Sequence, residues 1–474
     1  MSVVLNLPKW LRFAYLCCFS ALLSACSHKP DVAPKKMDIQ IPEQWQSLQS
    51  DVATPQHNTQ LLQLPNELQG LIAQALAQNT DFSVAMQRLQ MSAADLQIAQ
   101  GQLLPDVSAA SGWSYNERFN DNDKRIDSKS LSHKLRVAWE LDVWGRLAEQ
   151  ENAASADWQA VQADYQDAQQ SLVAQVIQAY LDLTLNTELS ALFAANFANQ
   201  QKRVSTMLNR VDLGLAKPVD LYLAKTSLHN IETQLSTQKS RVNAARSRLN
   251  ILLGRYPTSP LKLNFEPVQI ADFSLSINPA NVLQSRPDIR AAEYRVASAF
   301  NQWKSSSKGY LPSFRLAADI SSSESSLRDL FNWQSWLARL AADISMPIFD
   351  ADRLENIHLK NASKEQIAWL NYQKRILTAM KEIESSVYAE YELNERKSAI
   401  FQSTNAIQAA EQLLLAQYEQ GITNSSSVFN IQSRRINSQA DLVRVNHAIL
   451  SNRVTLTLAL GEHFNFEVKA NETY

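Results

Sequence analysis

The stretch Lys134–Leu147, KLRVAWELDVWGRL, decides how the chain reads. Leu135, Val137, Trp139, Leu141 and Val143 occupy every second position, with Lys134, Arg136, Ala138, Glu140 and Asp142 between them. Period-two alternation is the pattern of a strand that is apolar on one face. Gly145-Arg146 breaks it, and the residues beyond have helical character. This strand is read over 132–143, and three more stretches alternate in the same way. Over 106–119, Val107, Ala109, Trp113 and Tyr115 share a face. Over 313–321 the set is Phe314, Leu316, Ala318 and Ile320; over 336–348 it is Trp336, Ala338, Leu340, Ala342, Ile344 and Met346. The polar segments NDNDKRIDSKS and SSESSLRDLFNW separate the strands in pairs. A half-buried antiparallel sheet gives this alternation, and so does a transmembrane β-barrel strand of about ten residues.

The bulk composition narrows the rest. The chain has 474 residues and a net charge of −2, so it carries no basic footprint for nucleic acid. Glycine is scarce, at 9 residues, and long Ala-, Gln- and Leu-rich tracts run without a breaker, which favours long helices. At the N-terminus Lys9 and Arg12 precede the apolar run Phe13–Leu23 and then LSAC, Leu23–Cys26. A short apolar segment behind positive charge reads as a signal peptide, 1–25, too short to span as a mature helix. Its ending resembles a bacterial lipobox, with Cys26 as the lipid-bearing (palmitate-carrying) first residue of the mature chain. Ser27 rather than Asp comes next, which implies passage to the outer membrane. Cys17 and Cys18 leave with the signal, so the mature chain has no cysteine for disulfides, metal or nucleophilic chemistry.

One constant offset of 207 residues relates two halves of the chain. It pairs Asp81 with Asp288, Arg88 with Arg295, Leu104-Pro105 with Leu311-Pro312, and Arg146-Leu147 with Arg353-Leu354. It also pairs Gly214 with Gly421 and Leu253-Gly254 with Leu460-Gly461. The organisation expected is a linker at 26–65, a first repeat at 66–254, a connecting segment at 255–280, a second repeat at 281–462 and a tail at 463–474. Each repeat reads as helix, two strands, a very long helix, a tight turn and a return helix. The long helices are expected at 146–211 and 352–418, each roughly 100 Å long at 1.5 Å per residue. The return helices are expected at 218–253 and 425–461. Leu221, Leu228, Leu235, Val242 and Leu249 stand seven apart on the first, a coiled-coil seam.

Four strands cannot close a barrel, and open edges are not tolerated in lipid. If the strands span a membrane, copies must associate; two, three or four would give eight, twelve or sixteen strands.

Taken together, LSAC, WELDVWGRL, RPDIRAAEYRV, GYLPSF, LNILLGRYP and the two turn-bearing hairpins resemble a TolC-type outer-membrane channel of the lipoprotein branch often called NodT-like. The resemblance implies a mostly α fold with a transmembrane β portion, in which three chains form a twelve-stranded barrel continued by a long α-helical barrel. It implies a passive exit duct for drug efflux or related export, without catalysis or cofactor. Its partners would be two further copies, a periplasmic adaptor protein, an inner-membrane transporter and outer-membrane lipid. Arg136, Glu140, Asp142, Arg315, Asp319, Arg339 and Asp343 would face the lumen. Leu213, Gly214, Leu215, Gly421 and Ile422 would form the adaptor-docking tips. Asp220 and Tyr418 match gate positions at the periplasmic entrance, which makes a hydrogen bond between them an expectation. Thr423 stands where some relatives carry a basic tie. Ser427 and Asn430 stand where others are acidic, a departure that leaves a selective charged ring at the entrance an open question.

No HExxH pattern, phosphate loop or nucleophile elbow occurs. The Asp residues of FDADRLE, Asp350 and Asp352, suit the N-cap of the second long helix better than a metal. NDND in the first strand connection reads as a solvated loop. A periplasmic coiled-coil lipoprotein without a pore is the competing reading, since it would need the same helices and lipid.

Overall fold

The computed structural model describes residues 41–42, 45, 61–119, 125–270, 279–324, 334, 336–462 and 464. The expected signal peptide, Cys26, most of the linker, the NDND segment and the tail beyond Phe464 lie outside the described residues. The described elements, in chain order, are β1 (Leu62–Gln63), α1 (Asn66–Gln78), α2 (Thr80–Gly101), β2 (Asp106–Phe119), β3 (Arg125–Leu141), α3 (Arg146–Asp212) and α4 (Pro218–Leu252). Next come β4 (Gln269–Ile270), α5 (Pro279–Ser285), α6 (Pro287–Ser307), a 3₁₀ turn, β5 (Ser313–Glu324), β6 (Leu337–Ser345), α7 (Arg353–Glu419) and α8 (Ser425–Ala459).

The two long helices, α3 and α7, have 67 residues each. The N-terminal part of α3 packs on α2 and α6, where Phe82 stacks on Tyr165 and Arg295 pairs with Asp164. Its C-terminal part packs on α4 and α8, where Gln238 donates to Asn186 Oδ1 at 2.7 Å. α7 does the same with α6 and then α8. Shorter helices therefore stack end to end beside two continuous ones, and four helices lie side by side at each level. On α4, Leu221, Ala224, Ile231, Leu235, Gln238, Ala245 and Leu249 are buried, in keeping with the seven-residue seam.

The largest apolar core gathers Leu68 and Ile72 of α1, Val176, Ile177 and Tyr180 of α3, and Leu249 and Leu253 at the end of α4. A second joins Val282, Ile383, Val387, Leu456 and Leu460 to Trp45 and Leu61. β1 pairs antiparallel with β4, which ties the end of the linker to the connecting segment.

β2, β3, β5 and β6 form one antiparallel sheet in that order. Several strand limits differ from the sequence reading: β3 stops at Leu141, not 143, where the chain turns into the cap of α3, and β5 runs on to Glu324, not 321, its polar last residues continuing the ladder to β3. β3 begins at Arg125, not 132, because its polar first residues continue the ladder to β2, as at Glu117↔Asp127. No apolar face marks that extension, so alternation could not show it. β6 ends at Ser345, not 348; Pro347 has no N–H for a ladder, and Ile348 beyond it is 98% exposed.

Candidate functional site

The sheet register puts like with like. Val107 lies opposite Val137, Val137 opposite Ala318, and Ala318 opposite Leu340. Ala109, Leu135, Ile320 and Ala338 form the next row, and Trp139, Leu316 and Ala342 another. One face is thus apolar across all four strands. The other carries two rows of alternating charge. Glu140, Arg315 and Asp343 stand in line across β3, β5 and β6, and so do Arg136, Asp319 and Arg339. Arg315 reaches Glu140 at 3.7 Å, and Lys134 reaches Asp319 at 3.7 Å. Opposite charges directly across a sheet support one another.

Asp142 departs from this set. It lies beyond the end of β3, and its two carboxylate oxygens accept from the N–H groups of Leu147 (3.0 Å) and Ala148 (2.7 Å). It therefore caps α3, where a carboxylate complements the helix dipole, and is not a wall residue of the charged face. In the second repeat Asp350 accepts from the N–H of Leu354, the residue 207 positions after Leu147. Asp352 takes a left-handed conformation, φ 60°, at the position matching Gly145, φ 73°, and makes no side-chain cap. The strand-to-helix handover is braced by Trp144, whose Nε1 donates to Pro312 O at 2.8 Å, and by Lys308, which bridges Gly145 O and Glu149.

At the other end of the long helices the chain turns twice. Leu215 N donates to Arg210 O at 2.7 Å around Gly214, φ 69°, and Ile422 N to Gln417 O at 2.8 Å around Gly421, φ 74°. This six-to-one closure needs a left-handed residue, which glycine supplies. Leu213, Leu215 and Ile422 stand out at 73%, 66% and 70% exposure. The expected Asp220–Tyr418 bond is not made. Asp220 Oδ1 accepts from Ser425 Oγ at 2.6 Å, joining the first turns of α4 and α8, and Tyr418 lies under the Arg210 guanidinium, 5.2 Å from the ring centre. Ser427 is occupied at the N-cap, its N–H and hydroxyl both donating to Asn424 Oδ1 at 3.0 Å. Thr423 is half-buried and Asn430 exposed.

The model of one family, outer membrane efflux protein, matches residues 71–255 and again 278–462. The chain belongs to the outer membrane efflux protein family. The two matched segments begin and end 207 residues apart, the offset of the internal repeat. Among its relatives, the cation efflux system protein CusC of Escherichia coli K12 is 23% identical over 452 residues, covering 94% of this chain and 98% of that protein. The toluene efflux pump outer membrane protein TtgF of Pseudomonas putida is 26% identical over 457 residues, covering 93% and 95%. The solved Campylobacter jejuni CmeC outer membrane channel superposes with a TM-score of 0.81 at 18% identity, over 92% of this chain and 95% of that one. Membership in this family places the chain in the outer membrane as an efflux protein and accounts for the apolar sheet face.

Two junctions within this efflux protein were missed by reading residue types alone. Where α4 ends, Asn79 Nδ2 donates to Leu252 O at 3.0 Å; where α8 ends, Arg286 Nη1 donates to Ala459 O at 2.6 Å. The signal was available, since the offset pairs Asn79 with Arg286 and Leu252 with Ala459. The second junction is charged. Arg286 binds Asp288 at 2.8 Å and Glu382 at 2.7 Å, and Arg375 pairs with Asp288. Burial works to raise the Asp288 carboxyl, but the hydrogen bonds and charge of Arg286, with Arg375 and the Ile289 N–H, hold it below its ordinary value.

Proposed function

We propose that this chain is the exit duct of a tripartite export system. Three copies close a twelve-stranded barrel, and the stacked helices continue the lumen towards the periplasm. The observation that carries the reading is the sheet: one face apolar across four strands, the other lined with charge, and both edge strands, β2 and β6, unpaired on their outer sides among the described residues. In lipid those edges require partners, and β6 is antiparallel to the β2 of a neighbouring copy when the sheets join in a ring. Arg136, Glu140, Arg315, Asp319, Arg339 and Asp343 then face the water-filled lumen. A lipid on Cys26 adds a second hold on the outer membrane.

The tips at Leu213–Leu215 and Gly421–Ile422 are read as the surface for a periplasmic adaptor, through which an inner-membrane transporter delivers substrate. The reading needs no cofactor and no catalytic group. A poreless periplasmic lipoprotein has no use for an apolar sheet face backed by rows of charge, so that alternative loses ground. The experiment is reconstitution of the purified protein in planar bilayers, with the oligomer assayed on unheated gels. Discrete conductance from a trimer is expected. A monomer that leaves the bilayer silent would sink the proposal.

A further inference from the structure

Above the two tips lies a cavity of about 310 Å³ that the duct reading does not use. Its walls come from three helices: Arg203, Met207 and Arg210 on α3, Tyr418 on α7, and Val428 and Phe429 on α8. Met207 and Val428 are buried, at 6% and 5% exposure, and Phe429 packs on the Met207 cluster. The floor is therefore apolar and fixed. The volume sits at the small end of ligand sites, about 300–1,000 Å³, which suits one or two fused rings.

The polar part of the wall is one-sided. Each guanidinium offers five N–H donors in a plane. Arg210 spends its face on the Tyr418 ring and makes no ion pair among the described residues. Arg203 makes none among them either: its nearest carboxylate influence, Glu411, is bound to Arg435 Nε at 2.7 Å. Burial, with the charge of Arg435, outweighs Glu411 and pulls the Arg203 guanidinium below its ordinary value. A half-buried cation without an acceptor is an unmet demand for an anion. Against these two cations the wall sets one carboxylate, Glu419.

We infer that this cavity binds a small aromatic anion, an arylsulfonate or arylcarboxylate, with its ring on Met207, Val428 and Phe429 and its charge on Arg203 and Arg210. Such a ligand spans α3, α7 and α8 beside the Asp220–Ser425 bond, since Ser425 also lies on the wall. It joins the end of the first long helix to the second hairpin and holds the tips in this arrangement.

The test uses the full-length protein in detergent, with naphthalene-2-sulfonate and its neutral analogue naphthalene-2-methanol as probes in isothermal titration. Saturable binding of the sulfonate at one site per chain is expected. Arg203→Gln and Arg210→Gln should each weaken it roughly ten-fold or more while moving the neutral probe by no more than about two-fold. Val428→Trp, which fills the cavity and keeps both arginines, should abolish binding of both. Circular dichroism and gel mobility check that each variant is folded. No saturable binding, or equal affinity for the two probes that Arg203→Gln leaves unchanged, overturns the inference; the latter outcome marks the cavity as packing space for a neighbouring helix. Conductance of the same preparations reads the duct function separately, so failure of one does not carry the other with it.

Discussion

Asn79 and Arg286 stand 207 residues apart and make the same bond: each reaches from the N-terminus of a short helix to the last carbonyls of the return helix stacked beneath it. The equivalence extends to the glycines just past those carbonyls, Gly254 and Gly461, both at φ 69°. A long helical tube assembled from half-length helices needs two such butt joints per chain. The first is neutral and the second is ionic, so the two should respond differently to substitution and to pH.

At the neutral joint the space is closed. A Cβ on Gly254 would stand 2.5 Å from Gln78 O, whereas one on Gly214 meets nothing within 4 Å, although both glycines are left-handed. Gly214→Ala should therefore show only the conformational penalty, about 1 kcal/mol, and Gly254→Ala at least about 2 kcal/mol because backbone must also move. Thermal unfolding of the two variants in detergent measures this, and equal losses would contradict it.

At the ionic joint Arg286→Ala leaves Asp288, 7% exposed, with one guanidinium, Arg375, and the Ile289 N–H as its remaining partners. Breaking a buried pair costs about 3 kcal/mol, against about 1 kcal/mol for the lost cap in Asn79→Ala. Asp288 is held below its unfolded value, so its stabilisation is full above about pH 4 and lost as pH falls through the lower folded value. The gap between wild type and Arg286→Ala should shrink on acidification, and that between wild type and Asn79→Ala should not. Denaturant titrations at several pH values decide the matter.

Both joints were hidden for a physical reason. The strands, the long helices and the turns are written in periodicity and in Gly and Pro, which act locally. Asn79 and Arg286 are different residue types, and what they share is a carbonyl acceptor some 173 residues away. The tip shows the same limit. The resemblance made Asp220 an expected gate residue bonded to Tyr418, but its partner is Ser425, a residue whose type says only helix start. Asp142 misled in the opposite sense: its place in the alternation continued the charged face, while the chain had already left the strand to cap α3.

Glu462, beside Gly461, is pushed up to about 7 by burial, and its Oε2 is buried without a hydrogen bond among the described residues. The folded state then holds a proton that the unfolded state releases near pH 4.5, so stability falls as pH rises between these values and is lowest above them. Glu462→Gln should match wild type below pH 4.5 and gain on it steadily up to about pH 7. Melting curves that stay parallel across this range would remove the buried carboxyl from the account.

The Asp220–Ser425 bond joins the first turns of the two return helices at the tips. Removing it loosens the hold of one hairpin on the other without touching either turn, while the Arg210–Tyr418 contact and the packing of Phe429 on Met207 remain. Ser425→Ala and Asp220→Ala are both expected to raise single-channel conductance and vancomycin entry. Asp220→Ala should do so more, since it also removes a charge from the start of α4. Unchanged conductance in both variants would show that the bond does not restrain the entrance.

The two faces of the sheet can be told apart at adjacent residues of one strand. Arg339 lies in a charge row, and Leu340, 82% exposed, lies on the apolar face opposite Ala318. In a barrel, Leu340→Arg sets a charge against lipid at a cost of about 2–4 kcal/mol near the midplane and should cut assembly. Arg339→Glu changes only the lumen and should leave the assembled amount intact while shifting ion selectivity towards cations. Thiol labelling gives an independent reading, because the three cysteines of the sequence, Cys17, Cys18 and Cys26, fall within the expected signal peptide and at the expected lipid-bearing position. Arg339→Cys should react with a membrane-impermeant maleimide in assembled channels, and Leu340→Cys should react only with a lipid-soluble one. Reversed labelling would turn the sheet inside out and, with it, the assignment of Arg136, Glu140, Arg315, Asp319 and Asp343 to the lumen.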